Sequence, residues 1–123
     1  RNPYFKGSSS PKAPTTFRNS SKETMVFEGF MDFLSFLSLH KNIPFESYDY
    51  TVLNSISFFE KARDFLESHK RISLYLDNDK AGQNCTAYAL SLDRRYTDES
   101  SLYKYHKDLN DFLVNFGRPP DLL

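Results

Sequence analysis

Three acidic residues stand where short apolar runs stop: Glu28 directly after Met25-Val26-Phe27, and Asp77 with Asp79 directly after the run from Arg71 to Leu76. If those runs are strands of an open parallel sheet, the loops at their carboxyl ends line the ligand crevice, and acids from separate chain segments converge there. Converging carboxylates raise one another's pKa unless a divalent cation neutralises them. An all-oxygen set without His or Cys suits Mg2+ or Mn2+, so the pattern predicts its own cofactor. Taken singly, each acid has a plain structural reading as a helix cap or a solvated turn. Asp32, one helical turn after Glu28, reads equally well as solvated or cap-related. Two other cation and phosphate motifs fail. The stretch Asp77-Asn78-Asp79-Lys80-Ala81-Gly82 begins like a calcium loop, but Ala81 and Tyr88 occupy the fifth and twelfth positions, where that loop wants Asp or Asn and then Glu. No GxxxxGK[ST] phosphate cradle occurs.

The elements that must position these acids follow from periodicity. Met25 to Phe27 is a first strand, and Phe30, Phe33, Leu34 and Leu37 then fall on one face of a helix that Asn42 and Pro44 end. Residues 50–53 (YTVL) form a second strand and Asn54-Ser55 a turn. A second helix over 58–70 follows, with Phe58, Ala62, Phe65 and Leu66 inward. Residues 71–76 are the third strand, which runs into Asp77-Asn78-Asp79, and residues 81–95 (AGQNCTAYALSLDRR) then have helical composition with an Asp at a plausible N-cap. Residues 101–105 (SLYKY) read as a fourth strand, and 108–116 as a last helix stopped by Gly117 and Pro119. Strands alternating with helices mean βαβ units, hence an α/β fold with a central parallel sheet of about four strands flanked by helices. Residues 1–22, rich in Ser, Pro and Thr, read as a flexible basic linker or arm, 23–118 as the folded domain and 119–123 as a tail.

Three segments, Glu28-Gly29-Phe30-Met31-Asp32, Leu76 to Gly82, and Lys107-Asp108-Leu109-Asn110-Asp111, resemble in order and strand context the three motifs of the Toprim (topoisomerase-primase) family. The resemblance runs from about Thr24 to Val114. It is nearest to the primase-like proteins of bacteria, phages and mobile elements, and it implies a small Toprim (Rossmann-like) fold. It implies further that Asp77, Asp79 and Asp108 hold magnesium and that Glu28 is the general acid/base or an additional metal-linked carboxylate, with Asp32 and Lys107 beside it. The third motif departs from the bacterial replicative primase, because Asn110 stands at its second aspartate and Asp111 one place later. Gly29 and Gly82 fit positions where a side chain would obstruct a phosphate or helix packing. Lys80 and Lys107 suit phosphates or plain solvation. Asn54 lies on the same predicted edge.

With 123 residues there is room for one domain. The single cysteine, Cys85, excludes an internal disulfide and a thiolate zinc site. His40, His69 and His106 are isolated in sequence, two of them at predicted helix ends. No apolar run approaches a membrane span. Formal charge is zero, yet Arg1, Lys6, Lys12, Arg18 and Lys22 all precede the first acid, Glu23, so a polyanion would be met by metal ions or by a local patch. The function that the Toprim resemblance implies is Mg2+-dependent nucleotidyl transfer on a single-stranded DNA template in primer synthesis. Its partners would be single-stranded DNA, nucleoside triphosphates, and a replicative helicase or other domains of a parent protein, in the cytoplasm. The alternatives are a Toprim nuclease or other phosphodiester-cleaving enzyme, and a non-catalytic nucleic-acid-binding or scaffold module.

Overall fold

The computed structural model describes residues 12–115, which form five strands and four helices: β1 (Thr15–Phe17), β2 (Glu23–Phe27), α1 (Phe30–Leu39), β3 (Asp49–Val52), α2 (Phe59–Leu66), β4 (Arg71–Tyr75), α3 (Lys80–Leu92), β5 (Tyr96–Asp98) and α4 (Leu109–Asn115). The sheet order is β1-β3-β2-β4-β5. The pairs β3-β2, β2-β4 and β4-β5 are parallel, while β1 joins β3 antiparallel at the edge. β2 and β4 are therefore central neighbours, and the register pairs Phe27 with Tyr75, so Glu28 and Asp77 emerge side by side.

Strand alternation sends side chains to two faces. Val26, Ile72 and Leu74 meet Ala62 and Leu66 of α2 and Ala89 of α3. Met25, Phe27, Tyr50 and Val52 meet Phe33 and Phe36 of α1 and Leu109 of α4. The second face is built largely of rings: Phe27 packs against Phe33, Phe36 and Tyr75 at centroid distances of 5.7, 5.4 and 5.4 Å. Rings at such spacings add to simple burial.

Several expectations are corrected. Residues 15–17, read as part of a flexible arm, form β1. The segment after it is pinned where the Asp49 carboxylate accepts from the amides of Asn19 (2.6 Å) and Ser21 (3.1 Å) and binds the His69 ring at 2.6 Å. Residues 1–11 and 116–123, with the expected stop at Gly117 and Pro119, lie outside the described residues. Residues 100–103 make a 3-10 turn instead of a fourth strand, because the Tyr103 ring is fully buried and its hydroxyl donates to the carbonyl of Leu76 at 2.7 Å. The sheet gains β5 in its place. Helix α2 ends at Leu66, earlier than expected, where the His69 ring turns back on the carbonyls of Phe65 and Leu66. The inward face of α1 is also shifted. Phe30 and Leu34 are 49% and 39% exposed, while Asp32 and Ser35 are buried against α4 and Phe36 against the rings of the sheet.

Candidate metal centre

Each acid is placed by a local device. Asp77 leaves β4 through Leu76, and its backbone N–H donates to Glu28 Oε1 at 3.2 Å, which fixes the side chain that leaves β2. Asp79 caps α3, its Oδ1 accepting from the amide of Gly82 at 2.8 Å, as the sequence led us to expect. Asp108 caps α4 in the same manner, accepting from the amide of Asp111 at 2.7 Å. That cap was legible in Asp108-Leu109-Asn110-Asp111 but was not drawn from it. Asp32, one turn into α1, accepts from the amide of Asn110 at 3.0 Å and so ties α1 to α4.

Together they form two groups whose carboxylate oxygens lie within 4.8 Å of one another, Glu28-Asp77-Asp79 and Asp32-Asp77-Asp108, with Asp77 common to both. One Asp77 oxygen, Oδ1, is buried and without a hydrogen-bond partner. Buried polar atoms are seldom left so. An oxygen of that kind among four other carboxylates is what a hard divalent cation satisfies, and oxygen-only donors suit Mg2+ or Mn2+. Electrostatics agree. Burial first, and then the charges of Glu28, Asp32, Asp108 and Asp79, push Asp77 up to about 7. Burial, and secondarily Asp108, pushes Asp32 up to about 6, and burial with the charges of Asp79 and Asp32 raises Glu28. A doubly charged cation would reverse this repulsion.

The remaining candidates divide. Lys107 is exposed, and its charge acts on both Glu28 and Asp32. Lys80 is exposed at the first position of α3. Asn110 faces α1, its Oδ1 accepting from the buried Ser35 hydroxyl at 3.1 Å, and Asp111 bonds the His106 ring at 3.1 Å; neither belongs to the two acid groups. Asn54 has a left-handed backbone (φ 69°), and its amide group donates to the Ala13 carbonyl and the Thr15 hydroxyl, holding the approach to β1. Gly82 is required by packing: a Cβ there would lie 2.2 Å from the Asp77 carbonyl oxygen. At Gly29 a Cβ would meet Asp32 only at an ordinary 3.7 Å. Cys85 is buried in α3, where burial pushes its thiol up to about 11, as suits a packing residue. Sequence reasoning passed over Asn78 and Tyr103, which hold the third acidic segment in place, because their hydrogen bonds go to backbone carbonyls distant in sequence.

A family model described as Toprim-like matches residues 25–113. No curated protein matches the chain. Among solved structures, the primase fragment of the bacteriophage T7 primase-helicase protein superposes with a TM-score of 0.63 at 23% identity, over 80% of this chain and 41% of that one. The structure of bacteriophage T7 lagging-strand DNA polymerase interacting with primase domains of two gp4 subunits, bound to an RNA/DNA hybrid and dTTP, contains a chain that gives 0.63 at 22% identity, over 80% of this chain and 50% of that one. These likenesses are of fold, and the chain spans half or less of the primase chains it matches.

Proposed function

Because the chain belongs to the Toprim-like family, we propose that it is the metal-binding part of a primase-like enzyme, which joins nucleoside triphosphates on a single-stranded DNA template with Mg2+. The observation that carries this reading is the pair of carboxylate groups sharing Asp77 at the carboxyl edge of the sheet. Cations held by these residues would supply charge stabilisation for an in-line phosphoryl displacement. Asp77, Asp79 and Asp108 would hold them; Asp79 and Asp108 each commit only Oδ1 to a helix cap. Glu28 is suited to carry a proton. One oxygen is fixed by the Asp77 amide, and burial raises its pKa, the direction that favours holding a proton. Asp32 orients the third segment through Asn110, and Lys107, exposed beside Glu28 and Asp32, would meet a phosphate. The partners would be single-stranded DNA, nucleotides and other domains or a helicase of a parent protein, in the cytoplasm of a bacterial or phage-infected cell. Among the described residues no helix is long and apolar enough to cross a membrane.

The test is template-dependent nucleotide incorporation by the parent protein. The proposal expects Glu28→Gln and Asp77→Asn each to lower kcat severely, at least a hundredfold on the scale of general acid/base and electrostatic contributions. Unchanged turnover in both variants would leave a scaffold role. Cleavage of DNA without incorporation would leave a nuclease.

A further inference from the structure

Several hydrogen bonds that fix the third acidic segment converge on a residue that carries no charge. Asn78 stands between Asp77 and Asp79. Its side-chain amide donates to the carbonyls of Tyr103 (2.9 Å) and His106 (3.0 Å), and its backbone N–H donates to the carbonyl of Lys107 (2.6 Å). The Tyr103 hydroxyl completes the stitch by donating to the Leu76 carbonyl at 2.7 Å. Residues 104–108 themselves contain only turns and bends between the 3-10 turn and α4. The position of Asp108 relative to Asp77 is therefore held from the Leu76–Asn78 side, while the Asp32–Asn110 bond holds the start of α4 from the α1 side. An asparagine amide can serve two carbonyls because it has two N–H donors; an aspartate, accepting only, would repel them.

We propose that Asn78 is a positioning residue that sets Asp108 against Asp77 and so completes the Asp32-Asp77-Asp108 cation group. The cation half of this inference rests on the function proposed above, while the positioning half stands on the hydrogen bonds. Partners that orient metal ligands from outside the coordination shell typically change metal affinity about ten- to hundredfold when removed.

The experiment is Mn2+ titration of the full chain, followed by the electron paramagnetic resonance of the free ion, with backbone amide exchange measured in parallel. Asn78→Ala is expected to weaken one Mn2+ equivalent about ten- to hundredfold and leave the other. Asp108→Asn should do the same, and the double variant should lose little more, since the two act on one site. The amides of His106, Asn110 and Asp111 should exchange faster in Asn78→Ala. A residue that merely stabilised the fold would not separate the two equivalents. Wild-type Mn2+ binding and wild-type exchange in Asn78→Ala would overturn the proposal. If that variant does not fold, Asn78→Leu, of similar size but without the N–H donors, takes its place, and intact binding of both equivalents there overturns the proposal equally. If the wild-type chain binds no Mn2+, the cation reading fails on its own, and exchange then decides the positioning claim: faster in Asn78→Ala supports it, unchanged refutes it.

Discussion

Asp77 is the residue on which the site turns, since both acid groups need it and one of its oxygens is buried without a partner. Its pKa of about 7 and that of Asp32 of about 6 lie above the ordinary 3.8, so in the metal-free protein protonation favours the fold. That contribution is full below about pH 4 and is lost as pH rises through 6 and then 7. Metal-free melting temperature should therefore fall between about pH 5 and 8, and millimolar Mg2+ or Mn2+ should restore it at the upper end by mass action. Thermal denaturation across that range checks both statements; a Tm that rises with pH would contradict them. Asp77→Asn removes the repelled charge. It should raise the metal-free Tm at pH 8 by a few degrees, of the order that about 1 kcal/mol gives in a domain of this size, and should abolish the response to the cation. The acids after β2 and β4 were readable because apolar runs ended on them. Asn78 was not, since nothing local in a sequence marks an amide whose acceptors lie 25 and 28 residues away.

At the scale of elements, α3 sits on the end of β4 only because position 82 has no side chain. Gly82→Ala brings a Cβ within 2.2 Å of the Asp77 carbonyl oxygen, which no flexible atom can relieve. It should cost about 1–3 kcal/mol and weaken cation binding with it. Gly29→Ala, with ordinary contact distances, should leave stability within roughly 0.5 kcal/mol of wild type. Chemical denaturation of the pair checks the contrast, which also separates a packing glycine from one kept for ligand approach. A second pin holds the opposite end of the sheet. Asp49 and His69, 4% exposed each, join β3 to the end of α2 and to the turn before β2. Asp49→Ala strands a buried partner and two backbone amides, and should lower unfolding free energy by about 3–5 kcal/mol. β2, β3, β4 and the helices between them were legible because their apolar periods are clear over several residues. β1 and β5 were not: each has three residues, and β1 is held by pairing to β3 and by the distant Asn54 side chain. The displaced face of α1 has a similar cause. Its polar Asp32 and Ser35 are buried by α4, which a hydrophobic pattern along α1 alone does not report.

The whole molecule joins an acidic carboxyl edge to a formally neutral chain, so its attraction for a polyanion depends on cations held at that edge. Affinity for single-stranded DNA at fixed ionic strength should accordingly rise when Mg2+ replaces a chelator, and Asp77→Asn should remove that rise. An anisotropy titration that shows equal affinity in both conditions would place the nucleic-acid surface elsewhere. The most direct test of the account is calorimetric titration of the protein with Mg2+ or Mn2+, repeated on the double variant Asp77→Asn, Asp79→Asn. Saturable binding in the millimolar range or tighter, abolished in a double variant that still melts cooperatively, is the predicted result; a folded wild-type protein that takes up no cation, or a double variant that binds as well as wild type, would contradict it.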